Sequence, residues 1–385
     1  MLHDPRLLVL LLAGSLTTMA GGVVAPVLPE MVQQLQLNPA YAGNLVSMHC
    51  LTIALFSPPL GILADRIGRL RVLIPSLILY ALFGTAGALM HELEPLLVTR
   101  GLLGAASGGI AAASLGLLGN MYEGETRSQA LGYATSTLTI TGIAFPLLGG
   151  WVGSTHWQFA FYLYALGLPL ALLAGLILRE KGKKQKTQAK PKQKDSGSKL
   201  SKVLGHHHTL RLLLTLSLAS VAMYAVVIYA PLYLKQTIGA GALVNGIVLA
   251  SRAIGAAAVS AFGAKWLAKT LGATRSTAVG FGLMALTLTT IPLLHQLGWI
   301  LLTAVFFGVG FGIVLPTLYS TLANLAPSEL KSSVLAAGTG AGFLGQFLSP
   351  LLLGPLLGYS GLEGVFYAAA SVALVAGLLL FVPKQ

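Results

Sequence analysis

The sequence predicts an all-α membrane protein in which twelve transmembrane helices form two pseudo-symmetric six-helix bundles. Of its 385 residues, 55% are hydrophobic and 9% are charged, and the mean hydropathy is +0.80. A soluble domain normally has about 25% charged residues, so this chain has too few polar side chains to cover a water-facing surface. Twelve apolar segments follow one another along the chain, and its two halves repeat each other.

Each apolar segment is long enough to cross the bilayer as a helix, which takes about 20 residues. Open strands are excluded because every backbone polar group in lipid must be hydrogen-bonded internally. The first segment, which starts near Arg6, resembles a signal peptide but is too long and is followed by eleven others. The predicted spans are 6–29, 41–64, 72–91, 96–118, 128–151, 158–179, 209–233, 243–264, 275–293, 298–323, 332–356 and 363–382.

The net charge of +13 reflects membrane topology and does not indicate a nucleic-acid partner. If the N-terminus is cytoplasmic, all but three of the 24 Lys and Arg residues lie in cytoplasmic segments. The exceptions are Lys235, in an outside loop, and Arg100 and Arg252, inside spans. We therefore predict a multi-pass protein of the inner (plasma) membrane, a monomer with both termini in the cytoplasm.

The two bundles are predicted at 1–179 and 209–385, joined by a flexible, basic cytoplasmic linker at 180–208, the one long polar stretch. The halves match at a single offset of 204 residues, which predicts parallel repeats like those of many transporters. The matching pairs are Gly68 with Gly272, Arg71 with Arg275, Gly104 with Gly308, Gly108 with Gly312, Glu125 with Glu329, Arg127 with Lys331, Ser128 with Ser332, Pro146 with Pro350 and Gly150 with Gly354.

The loop after the second segment carries the most specific motif in the chain. Its residues are Gly61, Asp65, Arg66, Gly68, Arg69 and Arg71. In spacing and residue type they resemble motif A of the major facilitator superfamily, and with the twelve segments and the repeat the resemblance covers the whole chain. The second copy keeps Gly272 but has no acidic residue.

Physical reasons support this motif as a gate. Gly61 would let another helix pack closely, and Gly68 would permit a tight turn. Asp65 ends a helix whose dipole disfavours it there, so it should face a positive group. The resemblance implies that this positive group is Arg71 or the start of helix 11 near Ser332. Such a contact would hold the cytoplasmic gate shut. The alternative is a basic loop without a gating role.

Two further patterns resemble motifs of the same superfamily. Arg100 followed by Gly104 in segment 4 is similar to motif B, and Gly104 with Gly108 forms a small-residue face for close helix contact. Pro146 with Gly149 and Gly150 in segment 5 resembles motif C of the drug/proton antiporter (DHA1-like) branch, although Phe145 stands where that motif has glycine. The alternative is a kinked helix with a small-residue face.

Ionisable residues inside membrane spans are costly and are candidate sites by default. Three lie at depth, Arg252, His49 and Arg100, whereas every Asp and Glu maps to a loop, the linker or a helix end. Arg252 therefore lacks a buried carboxylate and could bind a carboxylate, phosphate or sulfonate of a ligand in bidentate fashion. Asn245, seven residues earlier, would share its face. The alternative is a structural arginine bonded to helix carbonyls.

His49 titrates near neutral pH and is the candidate for proton coupling, if transport is coupled at all; the alternative is a packing histidine. Tyr224, Thr137 and Gln346 complete the predicted substrate site. The resemblance implies a secondary transporter that exports a small amphipathic or anionic organic molecule by rocking of the two bundles. The alternatives are a facilitator of sugars or neutral metabolites, a lipid translocator and a non-transporting sensor.

No enzyme, cofactor or metal is predicted, because the sequence has no nucleotide loop, metal cluster or acid pair. The predicted partners are the small-molecule substrate, membrane lipids and protons.

Overall fold

The computed structural model describes residues 4–178, 195–327 and 330–381, and within these ranges the regular structure is entirely helical. The apolar helices are α1 Pro5–Gln34, α2 Pro39–Ile67, α3 Arg69–Leu89, α4 Leu93–Met121, α5 Gly124–Val152, α6 Gln158–Ile177, α7 His207–Ile238, α8 Ala242–Phe262, α9 Ala273–Leu293, α10 Leu297–Leu325 and the continuous stretch Lys331–Leu379.

The last stretch is two helices, not one. Its 49 residues would extend roughly 70 Å at about 1.5 Å per residue, more than twice the hydrocarbon core of about 30 Å. Gly361 interrupts it with φ 66° and ψ −170°, a backbone conformation open essentially to glycine alone. We call the parts α11 (331–360) and α12 (362–379). The predicted twelve spans and all-α fold are thereby confirmed for the described residues.

Helix α1 is bent near its end and extends beyond the predicted span. It runs as Pro5–Gly22, a 3₁₀ turn Ala25–Val27 and a short helix Leu28–Gln34. Proline inside a helix removes a backbone hydrogen bond and kinks it, and the final segment packs against α7. This places Glu30, which lies just beyond the predicted span 6–29, in a position where its side chain is 17% exposed.

Helix contacts fall into two sets. In the first half α2 and α3 pack on α4, while α1 packs on α4 and α5. In the second half α8 and α9 pack on α10, and α7 packs along the Lys331–Leu379 stretch. Between the halves the main contacts are α2 with α11 and α5 with α8. The polar centre of the molecule therefore lies between these four helices and α7.

The backbone repeats the pairing found in the sequence. Gly68, between α2 and α3, has φ 109° and ψ 135°, and its counterpart Gly272, before α9, has φ 81° and ψ 157°. A side chain at either position would be strained, so both halves require glycine at the same turn. Likewise, a Cβ at Gly104 would collide with the His49 carbonyl oxygen, and one at Gly308 with the Arg252 carbonyl oxygen. The predicted small-residue faces of α4 and α10 are thus confirmed.

The predicted linker is only partly covered by the described residues, since 180–194 lie outside them. Its last part was predicted to be flexible, but Asp195–Gly205 forms a helix whose Leu200 and Leu204 pack against the core. These leucines are four residues apart and share one helix face, an apolar spacing that the lysines around them obscured. His206 then caps α7 by accepting a hydrogen bond from the His208 backbone N–H at 3.3 Å.

Candidate functional site

The two halves meet closely at one end of the molecule. We call it the Lys235 end, because α7 reaches it at Lys235, and we call the opposite end, where α3 begins, the Arg69 end. A Cβ added at Gly150 would collide with the Ala242 carbonyl oxygen, and one added at Gly354 with the Ala40 carbonyl oxygen. Gly150 and Gly354 are a repeat pair, so two symmetry-related backbone contacts close the Lys235 end.

The Arg69 end is open between the halves. Residues 131–144 of α5 and 55–63 of α2 include none that is buried, whereas Phe145, Pro146, Gly149 and Gly150 nearer the Lys235 end are buried. A helix in contact with lipid on one face and with protein on the other would bury the second face. The absence of any fully buried residue from these two stretches therefore indicates a cavity between the halves that runs from the Arg69 end to the middle of the molecule.

A polar cluster at the inner limit of this cavity joins the two halves. The Cys50 thiol on α2 lies 3.3 Å from the Tyr224 hydroxyl on α7 and 3.1 Å from Gln346 Oε1 on α11, and its one proton can be donated to either oxygen. His49 Nε2 lies 3.4 Å from the Cys50 sulfur, and His49 Nδ1 is buried with no hydrogen-bond partner. The structure thus brings together three predicted site residues, His49, Tyr224 and Gln346.

Cys50 is the residue of this cluster that the sequence analysis missed. A single cysteine in an apolar segment belongs to no sequence motif that indicates a site, and its partners lie 174 and 296 residues away in the chain. The one available signal was its position next to His49. Gly21 on α1 completes the packing, since a Cβ there would lie 2.9 Å from His49 Cε1 and 3.1 Å from the Tyr224 hydroxyl.

Arg252 lies near the middle of α8 and is half-buried. Its Nε is buried with no hydrogen-bond partner, and no ion pair with it is found within the described ranges. The Tyr224 hydroxyl is near enough to interact with the guanidinium electrostatically. The arginine thus stands beside the polar cluster with unused hydrogen-bond donors.

Arg100 has the opposite surroundings, and the predicted contact with substrate is wrong for this structure. Its side chain is 1% exposed. Nε donates to the Leu45 carbonyl oxygen at 2.9 Å, Nη1 to the Tyr164 hydroxyl at 2.8 Å and Nη2 to the Ala20 carbonyl oxygen. The Phe161 ring lies 6.0 Å from the guanidinium carbon. Arg100 therefore links α1, α2, α4 and α6 within the first half.

Asn245 also departs from its predicted role. It is fully buried, and its Nδ2 donates to the Pro26 carbonyl oxygen of α1 at 3.1 Å. Seven residues separate it from Arg252, so it lies about 10 Å further along the axis of α8, at the closed Lys235 end. Asn245 shares a helix face with Arg252, as predicted, but it contacts the seal between the halves and not the cavity.

Thr137 lies in the part of α5 that borders the cavity. Its hydroxyl donates to the Tyr133 carbonyl oxygen of its own helix at 2.8 Å, and its side chain is half-buried. One turn further, the Thr141 hydroxyl lies 3.0 Å from that of Thr18 on α1. The hydroxyl oxygen of Thr137 still has lone pairs that can accept from a ligand.

The gating motif makes other contacts than those predicted. Asp65 is 64% exposed and pairs with Arg69, with 2.8 Å between Oδ1 and Nη2, instead of with Arg71 or the region of Ser332. Arg71 Nη1 donates to the Ile67 carbonyl oxygen at 3.3 Å. Asp65 and Ser332 belong to different halves, so a contact between them would have to close the Arg69 end, which is open here.

The remaining motif residues differ in how strongly the structure constrains them. Gly61 does not need to be glycine for packing, because an added Cβ would make an ordinary 3.6 Å contact with Ala112. Arg69 also donates to the Gly116 carbonyl oxygen of α4, which anchors the start of α3. Arg66 is exposed. The rigid features of the loop are thus Gly68 and Arg69.

Within the described residues, twelve helices long enough to cross a membrane form two repeat-related halves around a polar centre, an arrangement that defines a multi-pass membrane protein of the transporter type. The model of the Major Facilitator Superfamily matches residues 10–350, and the chain belongs to this family. Among curated proteins it is 25% identical over 369 residues to the quinolone resistance protein NorA of Staphylococcus aureus (strain MSSA476), covering 94% of this chain and 92% of the relative.

Other comparisons agree with this family. The multidrug export protein EmrB of Haemophilus influenzae is 32% identical over 127 residues, 32% of this chain and 25% of that protein. A bacterial homologue of the human lysosomal transporter Spinster superimposes with a TM-score of 0.76 at 16% identity, covering 97% of this chain and 95% of that chain. A D-xylose–proton symporter superimposes with a TM-score of 0.78 at 15% sequence identity, covering 98% of this chain and 97% of that chain. The solved structures show the fold, and the predicted superfamily is confirmed, while its drug-antiporter branch stays a prediction.

Proposed function

We propose that the protein is a secondary active transporter that exports a small amphipathic or anionic organic molecule, with Arg252 as the counter-charge of the substrate. The bundles 1–179 and 209–385 would rock about the cavity, with 180–208 as the linker. The observation that carries this proposal is the buried Nε of Arg252, which has no hydrogen-bond partner in a part of the molecule reached from the cavity.

The energetic reason is the cost of an unsatisfied guanidinium. A buried donor without a partner costs about 1–3 kcal/mol, and more when it is charged. A carboxylate, sulfonate or phosphate that accepts from two nitrogens of Arg252 would remove that cost. Tyr224 and Gln346 on one side and Thr137 on the other would supply polar contacts, while the apolar walls would hold the rest of an amphipathic molecule.

The proposed direction follows from orientation and from the relatives. The basic residues favour a cytoplasmic Arg69 end, so the open cavity would take substrate from the cytoplasm. NorA is named for quinolone resistance and EmrB for multidrug export. Export with a cytoplasmic N-terminus and C-terminus agrees with both. Proton coupling would use His49, which is buried within the polar cluster beside Cys50 and Tyr224.

Binding of an amphipathic organic anion tests the role of Arg252. We expect the purified protein in lipid nanodiscs to bind 8-anilinonaphthalene-1-sulfonate, and Arg252→Gln to weaken this binding by about 10- to 100-fold, because a charge-assisted hydrogen bond contributes about 1.5–3 kcal/mol. Arg252→Lys should retain part of the affinity, since it keeps the charge but loses the planar fork. The matched control is Arg275→Gln, an exposed arginine outside the cavity.

Competition distinguishes the remaining substrate classes. Equal affinity of Arg252→Gln and wild type would contradict the proposal. Displacement of the probe by neutral sugars, with organic carboxylates inactive, would favour the facilitator alternative, and displacement by lysophospholipid alone would favour lipid translocation. Efflux from proteoliposomes with and without a proton gradient then tests direction and coupling, and His49→Asn should abolish the gradient dependence if His49 carries the proton.

A further inference from the structure

Glu30 and Lys235 form an ion pair at the Lys235 end, outside the proposed substrate site. Glu30 Oε1 lies 3.7 Å from Lys235 Nζ, and the two side chains are 17% and 32% exposed. Glu30 is on α1 and Lys235 on α7, so the pair joins the two halves. The other ion pairs found among the described residues join positions only two and four residues apart. The pair therefore sits across the seal that must break when this end opens.

The carboxylate of Glu30 is poorly satisfied where it lies. Its Oε2 is buried with no hydrogen-bond partner, and 3.7 Å is longer than an ordinary N–H···O hydrogen bond. Removing a carboxylate from water is costly, and an ion pair repays this cost only with good geometry and with the remaining lone pairs bonded. The pair is long and Oε2 is unbonded, so the backbone N–H of Glu30 itself and its place in the first turn of Leu28–Gln34 compensate only part of this cost. The closed seal therefore accommodates a neutral Glu30 more easily than an ionised one.

The surroundings of Glu30 contain few other groups that could take over its charge. The segment Leu28–Gln34 packs on α7, on the start of α2 and on the turn Ala25–Val27. Near that contact α7 brings Lys235 and Tyr233, whose hydroxyl donates to the Pro292 carbonyl oxygen. The start of α2 brings Tyr41, which is exposed, and the turn brings no titratable residue. Lys235 is thus the charged group that faces Glu30.

We propose that Glu30 is the proton-binding group of the gate at the Lys235 end, and that a proton taken up from outside lets its side chain be buried and the gate close. When Glu30 is ionised, hydration of the carboxylate favours the open gate, and Lys235 offsets part of this preference. The proposal rests on the alternating access proposed above. In this proposal, protonation of Glu30 from outside returns the transporter to the state that is open at the Arg69 end.

The opposite effect is also conceivable for an ion pair across a seal, and the two differ in sign. If Glu30 and Lys235 were a latch, protonation would weaken it and the gate would open in acid. If burial of the charge dominates, as the unbonded Oε2 indicates, protonation closes the gate. A neutral replacement of Glu30 therefore decides between them without any knowledge of the substrate.

The distance across the gate can be measured with spin labels on the full-length protein in nanodiscs. His91 and His295 are exposed, lie in loops of the two halves at the Lys235 end and occupy equivalent repeat positions, so His91→Cys with His295→Cys gives a symmetric label pair. Buried Cys50 can stay in place. For one proton, we expect the ratio of closed to open gate to rise as pH falls, by at most about tenfold per pH unit.

The variants have distinct expected results. Glu30→Gln should hold the gate closed and abolish the pH dependence over about three pH units. Lys235→Gln should shift the transition to higher pH, because ionised Glu30 loses its counter-charge. Glu94→Gln is the matched control, an exposed glutamate in the first turn of α4 at the same end, and it should behave like wild type.

Three results would overturn the proposal: a gate that opens in Glu30→Gln, a pH dependence that survives in that variant, or a wild-type gate that does not respond to pH. If Glu30→Gln does not fold, an unshifted transition in Lys235→Gln overturns it instead. The anion-binding test at Arg252 does not depend on this gate. Failure there with a normal pH response of the distances would remove the substrate proposal and leave this one standing.

Discussion

Two arginines lie deep within the membrane spans of this protein, one in each half, and their surroundings are opposite. Arg100 in the first half donates from Nε, Nη1 and Nη2 to three partners on three other helices. Arg252 in the second half has a buried Nε with no partner. Because charged residues are rare inside membrane spans, the sequence made both arginines candidate sites of equal weight. The difference teaches that the hydrogen-bond partners of the guanidinium distinguish a structural arginine from one available to a ligand. The depth of the residue in the membrane does not.

The largest effect that tests this comparison is expected from Arg100→Gln. The substitution leaves the buried Leu45 carbonyl oxygen without its donor and removes the bonds that Arg100 donates to the Tyr164 hydroxyl and to the Ala20 carbonyl oxygen, which keeps only Tyr164 as a donor. Removing one side of a buried charged network typically costs about 3–5 kcal/mol. We expect a large fall in the thermal unfolding temperature in nanodiscs, or loss of folded protein. A variant as stable as wild type would show that Arg100 does not hold α1, α2 and α6 together.

The next effect concerns the backbone that positions Arg252. In Gly308→Ala the new Cβ would collide with the Arg252 carbonyl oxygen, and overpacking of this kind costs about 1–3 kcal/mol. Displacing α8 should also weaken anion binding, although residue 308 is on α10 and does not reach the cavity cluster. Gly340→Ala on α11 is the matched control, since an added Cβ there meets nothing within 4 Å. Equal behaviour of the two variants would argue against a tight α8–α10 contact.

A smaller effect on stability is expected at Arg252 itself. Arg252→Gln removes a donor that has no partner, so no hydrogen bond is lost and the desolvated charge disappears. We expect the unfolding temperature to stay the same or to rise, while anion binding falls. A loss of stability comparable with that of Arg100→Gln would mean that Arg252 is structural, and the comparison between the two arginines would fail.

Local sequence rules account for the parts of the structure that depend on short stretches. The spans follow from apolar length, and the turns at Gly68 and Gly272 from glycine at matched positions. Partners distant in sequence could not be predicted. The acceptors of Arg100 come from three different helices, and the sequence around Arg100 contains no pattern that predicts them.

The same reason explains the misplaced site residues. Asn245 was assigned to the cavity by helix periodicity, which gives the face but not the depth at which a neighbouring helix covers it. Glu30 was placed outside the first predicted span because the bend in α1 that packs it against α7 depends on tertiary contacts. Arg252 was predicted correctly as unpaired because that prediction needed only the absence of acidic residues from the spans. The proposed role in binding substrate goes beyond that absence and stays a prediction.

A third arginine extends the comparison to the water-facing end of α1, where the expected effect is smallest. Asp4 caps α1 by accepting from the Arg6 backbone N–H at 3.0 Å, and it accepts from Arg6 Nε at 3.1 Å and the Tyr122 hydroxyl at 3.0 Å. Partial burial alone would raise the pKa of Asp4, but the hydrogen bonds from Arg6 and Tyr122 outweigh it, and the pKa lies below its ordinary value.

A lowered carboxylate pKa stabilises the folded state above the unfolded value of about 3.9, and this contribution is lost as pH falls through the lower folded value. Because the pair is largely exposed, with Arg6 at 55%, we expect a loss of at most about 1 kcal/mol. Asp4→Asn should remove this part of the acid sensitivity, as seen in thermal unfolding followed between neutral and acidic pH. A change as large as that of Arg100→Gln would contradict the order proposed here, in which the contribution of an arginine increases with the number of buried partners it holds.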